Sequence, residues 1–316
     1  MQNQPATAAT LADLAVILRA GGLVAIPTET VYGLAADASN AEAVLAIYEI
    51  KGRPRFNPLI VHCADLAMAE TLAEFSPLAR TLARFWPGPL TLVLPKRADA
   101  PLSDLVTAGL DTVGIRIPNH PLALELIART GLPLAAPSAN PSGRLSPTTA
   151  GQVVAGFGDS VPVLDGGPCT AGVESTIIKV EDERAIQLRA GALAREEIEA
   201  AIGQPVELPR RSTAILAPGM LASHYAPHAA LRLDAVHPTA GEGYLAFGVV
   251  PQGWTGPLRN LSPSGDVREA ARNLFSMLHD LDAAGVRTIA VAPIPLAGLG
   301  EAINDRLARA AAPREA

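Results

Sequence analysis

The sequence predicts an α/β fold in two unequal domains. Three observations carry that reading: short apolar runs closed by proline or glycine alternate with stretches of helical periodicity, a proline-rich passage breaks the alternation after residue 205, and the alternation then resumes towards the C-terminus. Leu11, Leu14, Ala15 and Leu18 recur at helical spacing and end at Gly21-Gly22, so a helix leads into LVAIP at residues 23–27, a buried strand closed by proline. Residues 41–52 read as a second helix and residues 58–63 (PLIVHC) as a second strand. Residues 76–85 are helical and halted by WPGP; TLVLP and TVGIRIP follow as strands, PLALELIART as a helix and GLPLAA as a further strand. Residues 206–230, with an Arg210-Arg211 pair and little periodicity, read as a linker between domains spanning 1–205 and 231–316. In the second domain LRLDAV, GYLAFGVV and RTIAVAPI look like strands and VREAARNLFSMLHDLDAAG like a long amphipathic helix, with the tail ARAAAPREA frayed.

Composition narrows the function classes. Hydrophobic residues are 49% and charged residues 18% of 316, a globular balance, while aromatics at 4% leave few platforms for stacking on nucleic-acid bases. The first 205 residues carry 15 Lys and Arg against 21 Asp and Glu, and the rest carry 10 against 10. Neither part is a general polyanion binder, so a phosphate site must be a local cluster of cations. Cys63 and Cys169 lie in no metal-binding or redox spacing, which fits a reducing compartment. The first twenty residues lack the basic-then-apolar pattern of a signal peptide, and no apolar run approaches the roughly 18 residues of a membrane helix. A soluble, cytoplasmic protein with no membrane partner is expected.

Familiar nucleotide signatures are missing. No lysine sits in a phosphate-loop setting, and Gly241-x-Gly243 and Gly298-x-Gly300 lack the third glycine of a dinucleotide fingerprint, so turn glycines are the plainer reading. A different device is offered by KGRPRFNPLIVH at residues 51–62. There Lys51, Arg53 and Arg55 fall where a helix ends, and Gly52 and Pro54 stop it, so three cations could converge on one anion. A solvated helix C-terminus is the alternative. In APSANPSGRLSPT, residues 136–148, Ser138 and Asn140 are two apart at the end of an apolar strand and would share a face, although serine, asparagine and proline also simply form turns. PTETVYGLAAD, residues 27–37, offers Thr28, Thr30 and Tyr32 to a compact polar ligand, and GVESTII (172–178) and LRAG (188–191) add further polar groups. Arg116, inside the apolar TVGIRIP, needs a carboxylate or an anionic ligand as partner. His62 is either a capping donor or a ligand contact. His224 and His228 are four apart, but Pro227 disfavours the helix that would make them a metal pair.

In order, PTETVYGLAAD, KGRPRFNPLIVH, FWPGPLTLVLP, TVGIRIP, PLAAPSANPSGRLSPT and GVESTII resemble the YrdC-type domain family of threonylcarbamoyl-adenylate synthases. The family's K-x-R…S-x-N pattern is matched by Lys51, Arg53, Ser138 and Asn140, and APGMLASHYAP resembles the linker of the longer branch that carries a C-terminal domain. The resemblance implies a twisted open sheet whose helices form a concave cavity, plus a small Rossmann-like α/β C-terminal domain. It also implies synthesis of threonylcarbamoyl-adenylate from L-threonine, bicarbonate and ATP with release of pyrophosphate, feeding a separate machinery that makes N6-threonylcarbamoyladenosine in tRNA. Carried over, Lys51, Arg53, Ser138 and Asn140 would form the catalytic pattern; Thr30, His62, Arg116 and Ser175 (or its neighbour Thr176) would contact threonine. Arg53, Asn57, Thr112, Ser138, Ser146 and Arg189 would contact ATP, which brings Mg²⁺, and Tyr225, with His224, would close over it from the linker. No protein metal site is implied. The alternative is a non-catalytic RNA-binding module of the same fold, against which the net charge of −6 and the few aromatics weigh. Direct contact with tRNA, the oligomeric state and the role of the C-terminal domain stay open.

Overall fold

The computed structural model describes residues 10–209, 217–218 and 223–313. The Arg210-Arg211 pair, the linker residues 212–216 and 219–222, the start of the chain and the last three residues of the tail lie outside the described residues.

Helix α1 (Leu11–Arg19) begins in a capping box, the Thr10 hydroxyl accepting from Asp13 N–H while the Asp13 carboxylate accepts from Thr10 N–H. Strands β1 (Val24–Ile26) and β2 (Gly33–Asp37) follow, then α2 (Ala41–Lys51), which Gly52 ends in the left-handed conformation at φ 60°. Next come β3 (Ile60–His62), α3 (Leu66–Glu70), α4 (Pro77–Leu82), β4 (Leu90–Pro95), α5 (Asp104–Thr107) and β5 (Thr112–Arg116). The domain continues with α6 (Pro121–Thr130), β6 (Leu134–Ala135), α7 (Ala150–Phe157), β7 (Thr176–Glu181), β8 (Arg184–Arg189) and α8 (Arg195–Ile202). Its eight strands form one open mixed sheet in the order β1-β2-β6-β3-β5-β4-β7-β8, in which β3/β5 and β4/β7 are parallel and the other pairs antiparallel.

The second domain holds β9 (Ala230–Arg232), β10 (Gly243–Ala246), β11 (Leu258–Asn260), α9 (Val267–Ala283), β12 (Thr288–Val291) and α10 (Leu299–Ala311). Its sheet is wholly parallel in the order β11-β10-β12-β9. This is the α/β architecture expected, with differences of detail. Gly33–Asp37, read only as part of a polar segment suited to a compact ligand, is a buried strand paired on both sides. Its small residues carry little strand propensity, and pairing with β1 and β6 supplies what propensity does not. The β7–β8 hairpin and the helices α7, α8 and α10 were also not apparent in the periodicity.

The domains share packing. One apolar cluster joins Val31, Leu145 and Val173 of the first domain to Leu274, Phe275 and Leu278 of α9. Fully burying each such leucine or phenylalanine is worth about 1.5–3 kcal/mol, so this seam holds the domains in a defined relation. Gly172 makes the approach possible: a Cβ there would lie 2.3–2.5 Å from the backbone of Arg272, and the residue sits at φ +75°.

Candidate active site

Strands β3 and β5 run parallel with His62 opposite Arg116, so both side chains leave the sheet at its carboxyl edge, where open α/β sheets bind ligands. They face a cavity of roughly 520 Å³, its mouth included, also lined by Thr30, Arg53, Ser138, Ser175, Arg189, His224 and Tyr225. Nine of the residues expected from the sequence thus meet in one hollow.

On one side lie the groups expected to meet an amino acid. Arg116 donates through Nε to the Gly88 carbonyl (3.2 Å) and through Nη1 to Thr30 Oγ1 (2.9 Å), and Nη2 forms an ion pair with Glu29 at 2.7 Å. The cation in an apolar strand therefore needs no ligand to account for it. Its counter-charge is Glu29, within the TET of residues 28–30, which also accepts from Asn119 N–H. Thr28 and Thr30 share a hydroxyl hydrogen bond of 2.8 Å, and Ser175 Oγ pairs with Thr91 Oγ1 at 2.7 Å. Burial first, and the neighbouring Arg116 second, push His62 down to about 3, so its ring is neutral, and its Nδ1 makes no hydrogen bond.

On the other side lie the cations. Arg53 donates to the carbonyls of Asn57 (3.2 Å) and Pro58 (2.9 Å). Its Nη1 has no acceptor among the described residues; burial pulls it down to about 10, which leaves it charged at neutral pH. Arg189 donates to the Ser175 carbonyl from Nε (3.1 Å) and Nη2 (2.8 Å). The linker's Tyr225 stacks against Phe275 of α9, with ring centroids 5.7 Å apart. His224, pushed down to about 3 chiefly by burial, lies edge-on to Tyr225, and its Nδ1 also makes no hydrogen bond.

The structure separates the rest of the expected set. Lys51 does not line the cavity: its buried ammonium donates to the carbonyls of Ser138 (2.6 Å) and Asn140. Asn140 turns its amide to the carbonyls of Pro141 and Arg144, so it shares no face with Ser138; β6 ends at Ala135 and both residues belong to the loop beyond it. The K-x-R…S-x-N pattern is thus one lysine and one asparagine that lock a loop, and one arginine and one serine that reach the hollow. Arg55 is exposed beside a different cleft, so the three cations of residues 51–55 do not converge. Asn57 is buried next to Arg53, and its carbonyl accepts from Tyr48 as well. Thr112 faces a smaller cavity of roughly 270 Å³ that shares Ile60 and Pro218 with the first. Ser146 lies behind the lining, donating to Glu174 at 2.5 Å. His228 pairs with Asp282 (2.8 Å), and residues 224–229 are not helical.

Residues that sequence reasoning passed over are Glu29, Glu174 and Arg306. Glu174 lines the cavity and is held at 2.7 Å by Arg306 of α10, a fully buried arginine of the second domain. The available signal was a charge inside an apolar stripe, since Arg306 falls between Ile303, Leu307 and Ala310, all buried.

Residues 16–191 match the Sua5_yciO_yrdC family, described as telomere recombination, and residues 193–312 match the threonylcarbamoyl-AMP synthase C-terminal domain. The threonylcarbamoyl-AMP synthase of Bacillus subtilis is 42% identical over 96% of this chain and 93% of its own length. That of Pyrococcus abyssi is 43% identical over 93% and 91%. The crystal structure of P. abyssi Sua5 complexed with L-threonine has a TM-score of 0.86 to this chain at 39% identity, covering 95% of this chain and 94% of that one. The E. coli YciO structure, at 22% identity and a TM-score of 0.52, shares the fold of the first domain.

Proposed function

The chain belongs to the threonylcarbamoyl-AMP synthase family in its two-domain form, and from that premise we propose that it joins L-threonine, bicarbonate and ATP into threonylcarbamoyl-AMP with release of pyrophosphate, for N6-threonylcarbamoyladenosine synthesis in tRNA. The observation that carries the proposal is the shared hollow: Arg53, Ser138 and Arg189 face the same space as Thr30, His62, Arg116 and Ser175. Two anion-binding guanidinium groups thus lie beside a small, hydroxyl-rich subsite.

In this reading bicarbonate takes up a proton and loses water to give carbon dioxide, and the threonine amine attacks that carbon and loses a proton. The resulting carbamate oxygen then attacks the α-phosphorus of ATP, and the bond to the β-phosphate breaks, releasing pyrophosphate. A carbamate is short-lived in water, so the chain's contribution is to position two substrates, exclude solvent and stabilise charge, without a covalent nucleophile. Thr30, His62, Arg116 and Ser175 hold threonine, the neutral His62 and the hydroxyls offering hydrogen bonds and Arg116 a charge for the carboxylate. Arg53 and Arg189 meet the phosphates, with Ser138 beside them and Asn57, Thr112 and Ser146 supporting the nucleotide from behind the lining. Lys51 and Asn140 act on the loop that presents Ser138. His224 and Tyr225 cover the nucleotide from the linker, between a catalytic domain ending near residue 205 and a second domain beginning near 231.

The lining fits a metal carried by the triphosphate rather than by the protein. Glu174, a carboxylate of the lining, has one oxygen on Ser146 and the other on Arg306. Mg²⁺ held by the phosphates would add charge neutralisation. Separate enzymes would carry the threonylcarbamoyl group to tRNA, and the cytoplasm is the proposed place of action. No helix among the described residues is long and apolar enough to cross a membrane. The decisive experiment incubates the protein with ATP, Mg²⁺, bicarbonate and a panel of amino acids. Pyrophosphate release that needs both threonine and bicarbonate is expected; release indifferent to either one would overturn the proposal.

A further inference from the structure

Glu174 poses an electrostatic problem for the proposed reaction. Its carboxylate lines the hollow that is to take a triphosphate, where it would repel the ligand or capture Arg189 as its own counter-ion. The capture does not happen in the structure. Arg189 pairs with no carboxylate among the described residues and instead donates to Ser175 and, at 3.4 Å, to the Pro218 carbonyl. Glu174 is claimed from behind. Arg306, 1% exposed, donates Nε to Glu174 Oε2 at 2.7 Å, Nη1 to Asp305 at 2.6 Å and Nη2 to the Ala190 carbonyl at 2.9 Å. Its guanidinium also lies over the Tyr225 ring, 5.1 Å from the centroid. The remaining oxygen, Glu174 Oε1, accepts from Ser146. Burial alone would raise the Glu174 carboxyl, but Arg306 foremost, then Arg189 and Ser146, hold it below its ordinary value.

We infer that Arg306, contributed by the second domain, is a positioning residue for ATP: by neutralising Glu174 and backing Tyr225 and Ala190, it leaves Arg189 available to the phosphates. The nucleotide site is then incomplete without α10, which gives the C-terminal domain a part in catalysis although it supplies no group to the lining through this helix. The inference rests on the functional reading above.

The test measures the affinity of the full chain for ATP by calorimetry, without threonine or bicarbonate, for wild type, Arg306→Met and the double variant Arg306→Met/Glu174→Gln. Arg306→Met should bind ATP at least ten-fold more weakly, because an uncompensated carboxylate then faces the phosphates. The double variant should recover to within about three-fold of wild type, since the charge is gone although the domain contact is still lost. If Arg306 merely fastens the domains together, removing Glu174 cannot restore binding, and a double variant as weak as Arg306→Met overturns the inference. So does an Arg306→Met protein that binds like wild type. Should Arg306→Met fail to fold, the double variant decides alone: affinity within three-fold of wild type supports the inference, and a ten-fold loss overturns it. A wild-type protein that takes up no ATP would instead overturn the functional reading itself, and this inference with it.

Discussion

Replacing Arg53 by lysine should harm this protein almost as much as replacing it by alanine. The guanidinium serves two masters at once: Nε and Nη2 tie the following loop through the carbonyls of Asn57 and Pro58, at 3.2 and 2.9 Å, while the same side chain lines the hollow with Nη1 uncommitted. An ammonium gathers its donors at one point. It can sit at the loop carbonyls, as Lys51 does at those of Ser138 and Asn140, or it can reach the cavity, but a single rigid fork is needed for both. Loss of one preorganised charge contact costs about 3 kcal/mol at comparable sites, which is roughly 10²-fold in rate. Loss of the loop bonds adds a stability cost of about 1–3 kcal/mol for alanine, since each charged hydrogen bond is worth that order. The assay is pyrophosphate release at saturating threonine and bicarbonate with ATP varied, alongside a direct measurement of threonine affinity. Turnover should fall at least roughly 10²-fold in both variants. Threonine affinity should stay within about two-fold, because Arg116 is held by Gly88, Thr30 and Glu29 and Arg53 by Asn57 and Pro58, with no hydrogen bond shared between the two. Near-normal turnover in Arg53→Lys would show that charge alone is enough and would refute the two-contact argument.

Three further outcomes follow from the geometry. Glu29→Gln strips the buried Arg116 of its counter-charge and should lower unfolding stability by about 3 kcal/mol in urea titration; a loss below about 1 kcal/mol would mean that the pair is not a coupled buried bridge. His62 and His224 are both pushed down to about 3, against an unfolded value near 6.5, so the unfolded chain binds more protons between those limits. Stability should accordingly be full above about pH 6.5 and fall as pH drops below it, with each histidine adding up to about 1.4 kcal/mol per pH unit; His62→Asn should halve their joint slope between about pH 6.5 and 5. Gly172→Ala places a Cβ against the Arg272 backbone and should lower the melting temperature and ATP affinity together, whereas Gly203→Ala, at φ +68° with open space around it, should cost only the left-handed strain of about 1 kcal/mol. Equal effects of the two alanines would remove domain docking as the cause.

What the residues announce by themselves is local. Apolar periodicity with glycine and proline stops marks α1, α2, β3, β4, β5, α6 and α9, because those signals reside in consecutive residues. The run-together motifs are legible for the same reason, as are Arg53, His62 and Arg116 as charged or titratable groups set in apolar strands or at helix ends, whereas Arg189 is marked only by the resemblance. What needed the tertiary structure is every partnership across the chain. Nothing in KGRPR says that Lys51 spends its charge on two carbonyls 87 and 89 residues away while Arg53 takes the cavity. Glu29 becomes Arg116's counter-ion only when β5 is laid against the loop after β1. The third signal that stayed dark is Arg306: a helix turns it inward, but only the docking of two domains decides that it meets Glu174, 132 residues earlier. Periodicity follows from the backbone's own repeat and can be read along a line, whereas charge pairing follows from proximity in a low-dielectric interior, which exists only once the chain has closed on itself.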